Sequence, residues 1–151
     1  MEWALKKFNE LTLDEFHDIL KLRIDIFVVE QNCPYPEIDN KDSKAYHFFG
    51  KEESNIVAYT RIFKAGDYYK EASFGRVVVH QHYRNQKLGY QLVENALKEI
   101  QSLFGNVPIK IGAQKHLNKF YACFGFQQEG EGYIEDGIPH IYMIKKSYEK
   151  P

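Results

Sequence analysis

The densest chemistry in the chain lies in Val77-Val78-Val79-His80-Gln81-His82-Tyr83-Arg84-Asn85-Gln86-Lys87-Leu88-Gly89-Tyr90. A short apolar run fits a strand covered on both faces. Here it leads through a polar turn into Leu88, Leu92, Ala96, Ile100 and Leu103, which trace one face of a helix. The first turn of a helix presents unpartnered backbone N–H groups and the positive end of the dipole, a combination that suits phosphate. Arg84 and Lys87 add cations, and Gly89 removes a Cβ where a ligand or a strand could come close. The turn is no Walker loop, because GxxxxGK[ST] is absent. A solvated turn with scattered basic residues would read the same way.

Two arginines stand among apolar residues. Arg23 falls three, four and seven residues after Leu20, Ile19 and Phe16, on an inward helical stripe, and Arg76 interrupts the apolar strand Phe74 to Val79. An inward guanidinium without a partner is costly. Arg23 therefore pairs with Glu30 or Asp25, snorkels to solvent, or anchors a substrate carboxylate or phosphate. His80 and His82 form an HxH, a weak metal-ligand signal with no Cys or carboxylate pair beside it, and a surface loop is expected there. Cys33 and Cys123 make no CxxC pair and no disulfide framework. Both are expected as reduced thiols, with Cys123 packed in the core between Tyr121 and Phe124.

The elements that must position these groups follow from period and punctuation. Thr12-Leu13-Asp14-Glu15 is a capping box, followed by Phe16, Ile19, Leu20 and Phe27 at helical spacing. Gln31 to Ser43, with Pro34 and Pro36, is expected to be loop. Ala45 to Phe49 and Ile56 to Phe63 predict a hairpin across Lys51–Asn55, and Ser73 to Val79 a third strand. Gly105 and Pro108 stop the long helix, and Pro108 to Ala113 alternates as a short strand. Leu117, Phe120, Tyr121 and Phe124 have helical spacing before Gly125, and Ile138 to Ile144 is a last strand. The order is mixed α/β with a partly antiparallel sheet.

The chain has 151 residues, 20 basic and 21 acidic, for a formal charge of −1; 44% of residues are hydrophobic and 15% aromatic. That length fits one domain, 1–151, with a sizeable core. Charge balance disfavours a nucleic-acid module. No apolar run approaches the ~20 residues of a membrane span, and no signal-peptide pattern is visible, so a cytoplasmic protein is expected.

The segment from Arg84 to Gly89 resembles the cofactor loop of the GCN5-related N-acetyltransferases (GNAT), Arg/Gln-x-x-Gly-x-Gly/Ala, with Lys87 where the family has its first glycine. Forty residues on, Phe120-Tyr121-Ala122-Cys123-Phe124-Gly125-Phe126 resembles the family's second motif. The stretch Arg23 to Tyr35 and the pair Tyr46-His47 look like the ElaA-type branch, and Gly137 to Met143 is similar to the tail of glyphosate N-acetyltransferase. The resemblance implies a GNAT fold, α+β, with a single mixed, mostly antiparallel sheet and helices on both faces. It implies acetyl-CoA as co-substrate. The backbone of Val77, Val78 and Val79 would hold the pantetheine, and the N–H groups of Gln86 to Tyr90 the pyrophosphate. Arg84, Asn85, Gln114 and Phe124 would complete the cofactor site. Lys87 is tolerated with helical dihedrals and strained at φ > 0.

Acetyl transfer to an amine needs a proton removed from the ammonium and one delivered to the departing thiolate. The resemblance assigns the acid to Tyr121, and the base to His140 among His140, His47, Glu30 and His80. Cys123 as an acetylated nucleophile is not required. The resemblance also places Arg23 and Arg76 at an anionic substrate, with Phe27 and His47 on the wall of the pocket. Gln114 stands where a third substrate arginine would be. Phe27, Tyr35, Tyr46 and Phe48 line an amine pocket or pack the core. The implied activity is N-acetylation of the amine of a small molecule, anionic or not, by direct attack in a ternary complex. A non-catalytic acyl-CoA sensor on the same fold is the alternative, which Lys87 favours. Neither the acceptor nor the oligomeric state is read from the sequence, and a homodimer is compatible with it.

Overall fold

The computed structural model describes residues 1–147. Its strands are β1 (Glu2–Lys7), β2 (Tyr46–Glu52), β3 (Asn55–Phe63), β4 (Ser73–Val79), β5 (Ile109–Gln114), β6 (Gln127–Glu135) and β7 (Ile138–Lys145). The α-helices are α1 (Leu13–Arg23), α2 (Leu88–Phe104) and α3 (Asn118–Ala122). Antiparallel pairing gives two arrays, β1-β2-β3-β4 and β5-β7-β6. They meet through one parallel bridge, Ala72 with Ile109, where the Lys110 N–H donates to the Ala72 carbonyl at 2.9 Å. Beyond it β4 and β5 diverge. The expected single sheet is thus one surface opened along a seam.

Alternation along the central strands supplies both cores. Phe48, Val57 and Ile62 pack with Leu92, Val93, Ala96 and Ile100 of α2. Phe49, Ile56 and Tyr59 pack with Ile19 and Leu22 of α1. Helices therefore cover both faces. None among the described residues is long and apolar enough to cross a membrane.

The caps behave as their residue types require. Thr12 Oγ1 accepts from the Glu15 N–H at 3.0 Å, and Glu15 Oε1 from the Thr12 N–H at 2.9 Å. Burial pushes the Glu15 carboxyl up, but the Thr12 N–H, Lys6 and Lys51 outweigh it and bring it down to about 2. Gly105, at φ 80°, closes α2. The predicted hairpin turns through Glu53 and Ser54, both at positive φ, as a two-residue loop needs.

Four features differ from the sequence reading. β1 and β6 were not expected; both are edge strands, and β6 is almost wholly exposed and polar, so neither shows a buried alternating face. The helical spacing toward Phe27 does not continue as α-helix. Ile24–Glu30 winds as a π-helix, with the Gln31 N–H reaching the Ile26 carbonyl at 3.1 Å. Finally, α3 is only five residues long, so the turn ends before Cys123, which is exposed rather than core. Tyr121 and Phe126 take the buried places.

Candidate active site

The seam opens into a cleft of about 760 Å³. A bulge makes the divergence. Register between β3 and β4 breaks between Tyr59 and Arg61, Thr60 Oγ1 donates to the Gly75 carbonyl at 2.7 Å, and Arg76 takes φ 50°. An extra residue bends and twists its strand, and here it carries Val77–Val79 away from β5. The His80 N–H donates to the Val57 carbonyl at 2.8 Å, on the β3 side. Alternation therefore turns the peptide groups of Val77 and Val79 to the other edge, which faces the cleft.

Of the residues singled out by sequence, Phe27, Arg76, Val77, Val78, Val79, Arg84, Gln114, Tyr121 and His140 line this cleft. Asn85, Gln86, Lys87, Leu88, Gly89 and Tyr90 continue from Arg84 beyond its walls. Lys87 caps α2 with φ 58° and ψ 20°, the left-handed conformation, and no side chain caps the helix. The first-turn N–H groups of α2 have no intrahelical acceptor. An added Cβ at Gly89 would meet only Val79 Cγ2, at 3.9 Å, so packing within the chain does not demand glycine there. Phe124 stacks near Tyr90, with centroids 4.8 Å apart, outside the cleft. Lys87→Gly is expected to raise stability by up to ~1 kcal/mol in urea unfolding, because the left-handed strain goes while some chain entropy is lost. It should also flatten the salt dependence of anion binding at this turn.

Arg84 is not a free cation. Its guanidinium forks onto Glu30, at 3.1 and 2.7 Å, and its Nε donates to the Val79 carbonyl at 3.4 Å. This staple holds the π-helical segment against the end of β4, and it takes Glu30 out of the set of free bases. Gln114 Nε2 donates to Gln31 Oε1 at 3.3 Å across the cleft.

Arg23 and His47 are corrected. Arg23 has no exposed surface: Nε donates to Glu37 Oε1 at 2.8 Å and Nη1 to Asp42 Oδ1 at 2.9 Å. Its partners are neither Glu30 nor Asp25, which pair with Arg84 and Lys21. His47 is also fully buried, between the Asp42 carbonyl at 3.0 Å and the Tyr59 hydroxyl at 2.7 Å. A carbonyl only accepts, so Nε2 carries the hydrogen and Nδ1 accepts from Tyr59. Burial pushes this imidazole below its ordinary range. Neither side chain reaches a substrate in this arrangement.

Sequence reasoning missed the acids that hold these arginines. Glu37 Oε1 also accepts from Arg76 Nε at 2.9 Å, and Glu37 Oε2 from the Tyr35 hydroxyl at 2.6 Å. Asp42 Oδ1 and Asp39 Oδ1 both accept from Arg61 Nη1, at 3.0 and 2.9 Å. Burial raises the Asp39 carboxyl, but Arg61 outweighs it and brings it down to about 2. Three guanidiniums are matched by three carboxylates. The signal was present: Glu37, Asp39 and Asp42 lie in one loop, and three arginines stand on apolar elements. Tyr46 and Phe48 pack against Phe104 and Trp3, whereas Phe27 and Tyr35 line the cleft.

Tyr121 and His140 face the same space. Tyr121 is 5% exposed, and burial pushes its phenol well above the ordinary tyrosine range, so it holds its proton at neutral pH. His140 Nδ1 lies 2.7 Å from the Ile138 carbonyl, which can only accept. In the neutral ring Nε2 is thus the nitrogen with the lone pair. It stands 3.7 Å from Glu135 Oε2, and the ring stacks on Tyr133.

A family model described as "Acetyltransferase (GNAT) domain" matches residues 23–147. The chain belongs to the GNAT acetyltransferase family. It is 40% identical over 148 residues to Protein ElaA of Escherichia coli, covering 97% of each chain. The crystal structure of Escherichia coli ElaA superposes with a TM-score of 0.90, covering 96% of this chain and 99% of that one. An acyl-CoA N-acyltransferase from Pseudomonas aeruginosa is 37% identical with a TM-score of 0.91, at the same coverage. An aminoglycoside 6'-N-acetyltransferase complexed with coenzyme A, 15% identical, shares the fold at a TM-score of 0.72. A GNAT family acetyltransferase from Elizabethkingia anophelis with acetyl-CoA bound, 13% identical, shares the fold at a TM-score of 0.68. The outward peptide groups of β4 and the uncapped first turn of α2 fit such a ligand: the first can pair with amides, the second with phosphate oxygens. Lys87 holds a left-handed backbone, the one a glycine would adopt without strain.

Proposed function

We propose that this GNAT protein acetylates the amine of a small molecule by direct attack in a ternary complex. Val77–Val79 hold the pantetheine arm through their outward peptide groups. The N–H groups from Gln86 to Tyr90 hold the pyrophosphate, with Lys87 as a nearby cation and Arg84 fixing the turn. The bound thioester supplies an activated acetyl group. His140 Nε2 takes a proton from the acceptor ammonium, and the Tyr121 hydroxyl holds one available to the leaving sulfur. The observation that carries this reading is the shared cleft: the outward edge of β4, the protonated phenol of Tyr121 and the lone pair of His140 Nε2 all belong to it.

The anionic acceptor suggested by Arg23 and Arg76 loses its support, because Arg23 is already matched by Glu37 and Asp42, and Arg76 by Glu37 and Asp39. The test is thioester consumption against an amine panel. Binding of acetyl-CoA with no turnover on any amine would return the reading to a sensor. His140→Ala is expected to remove the rising limb of the pH–rate profile, since a base acts only when deprotonated. A retained limb would assign the proton to a water chain.

A further inference from the structure

The acceptor end of the cleft carries two kinds of groups that suit a cation. The first is aromatic. Tyr68, Tyr69 and Tyr133 line it. Their rings join into one wall through Tyr142: Tyr68 to Tyr69 at 4.8 Å, Tyr69 to Tyr142 at 6.0 Å, and Tyr133 to Tyr142 at 4.4 Å. His140 continues the wall, 5.5 Å from Tyr133. These rings already bind ammonium groups. Lys110 Nζ sits 4.6 Å from the Tyr142 centroid and 5.4 Å from that of Tyr69, and Lys41 Nζ 5.3 Å from that of Tyr68. An added Cβ at Gly112 would come within 2.6 Å of the Tyr133 hydroxyl and 3.0 Å of the Tyr69 hydroxyl. Both hydroxyls therefore converge over the bare backbone of β5.

The second kind is charge. Asp136 lines the cleft, is exposed and has no ion pair among the described residues. Among the described residues Glu135 makes one ion-pair contact, at 3.7 Å with His140, and it stays largely exposed. On the cationic side, Arg23, Arg61 and Arg76 are matched by Glu37, Asp39 and Asp42, and Arg84 by Glu30. Lys110 on the wall is offset by Glu129, at 3.3 Å, and Lys41 is the one lysine among the lining residues to set against Glu135 and Asp136, which leaves this end net negative.

We propose that the acceptor is a short aliphatic diamine, one ammonium delivered to His140 and the other held against the tyrosine wall by Glu135 and Asp136. The inference rests on the acetyl-transfer reading and names its acceptor class. Alkylammonium groups gain from ring faces and from nearby carboxylates together. A carboxylate or phosphate on the acceptor meets no unmatched guanidinium and is repelled by Glu135 and Asp136. From His140 the wall reaches Tyr133 within 5.5 Å, a span a short alkyl chain covers.

The experiment measures thioester consumption with putrescine, n-pentylamine and lysine, and titrates the first two calorimetrically into protein saturated with CoA. Putrescine is expected to exceed n-pentylamine in kcat/KM by about tenfold, from one ring contact and one carboxylate pair. It should bind more tightly in the calorimeter, with lysine poorer than putrescine. Combined Glu135→Gln and Asp136→Asn should bring the putrescine to n-pentylamine ratio toward one in both measurements. Equal or reversed values for putrescine and n-pentylamine, or a preference for lysine, overturn the diamine assignment and leave amine acetylation standing. Acetyl-CoA binding with turnover on none of the three, nor on a wider amine panel, overturns both.

Discussion

Tyr121→Phe is expected to lower kcat by about 10²–10³-fold, the usual scale for losing a positioned proton donor, while acetyl-CoA affinity changes little. The two effects separate because of where the residue sits. Its ring packs with Phe74, Phe120 and Phe126, and phenylalanine keeps all of that packing. What leaves is a hydroxyl that burial keeps protonated and that faces the cleft. A phenol in that state cannot serve as a base near neutrality; it can donate. The pH–rate profile should keep its rising limb, which the proposed mechanism assigns to His140. Unchanged turnover in Tyr121→Phe would remove the residue from the chemistry and leave it as core.

Glu37→Ala is expected to cost about 3–5 kcal/mol of stability, the scale for orphaning a buried charge. For a chain of this size that is a fall in Tm of roughly 6–20 °C. Glu37 joins the last residue of α1, Arg23, to the bulge residue of β4, Arg76, and takes the Tyr35 hydroxyl on its other oxygen. Removing it leaves Arg23 with Asp42 and a carbonyl in a site without solvent. The double variant Glu37→Leu with Arg23→Met should recover part of the loss, because the fully buried guanidinium is gone, while Arg76 and the Tyr35 hydroxyl still lack the Glu37 carboxylate. Thermal unfolding of both variants checks this. A Glu37→Ala loss below about 1 kcal/mol would mean that water reaches the guanidiniums.

The legible elements are those whose signals are local. Thr12 and Glu15 cap α1 within one turn, and Gly105 ends α2 at its own position. The β2–β3 hairpin needs only two apolar runs and the polar turn between them. The site's linear parts were legible for the same reason: Val77–Val79, the turn to Gly89 and the Tyr121 segment are contiguous. The edge strands β1 and β6 were not, because half-exposed or polar strands carry no period to read. Cys123 was misplaced because helical spacing across residues 117–124 says nothing about where a five-residue helix stops.

The charged network shows the limit most clearly. Sequence raised the question by placing Arg23 and Arg76 among apolar residues, and desolvation required each to have a partner. It could not say which one. Arg23 meets Asp42 19 residues away, and Arg76 meets Glu37 39 residues away. By itself, then, the sequence determined the family, the helix caps, the central strands and a cleft-edge strand running into a helix start. Only the tertiary structure decided that Arg23, Arg61 and Arg76 are matched inside the protein, that Arg84 is committed to Glu30, and that tyrosines and carboxylates line one cleft. Period and capping act over a few residues along the chain, whereas pairing of buried charges is chosen by distance in space.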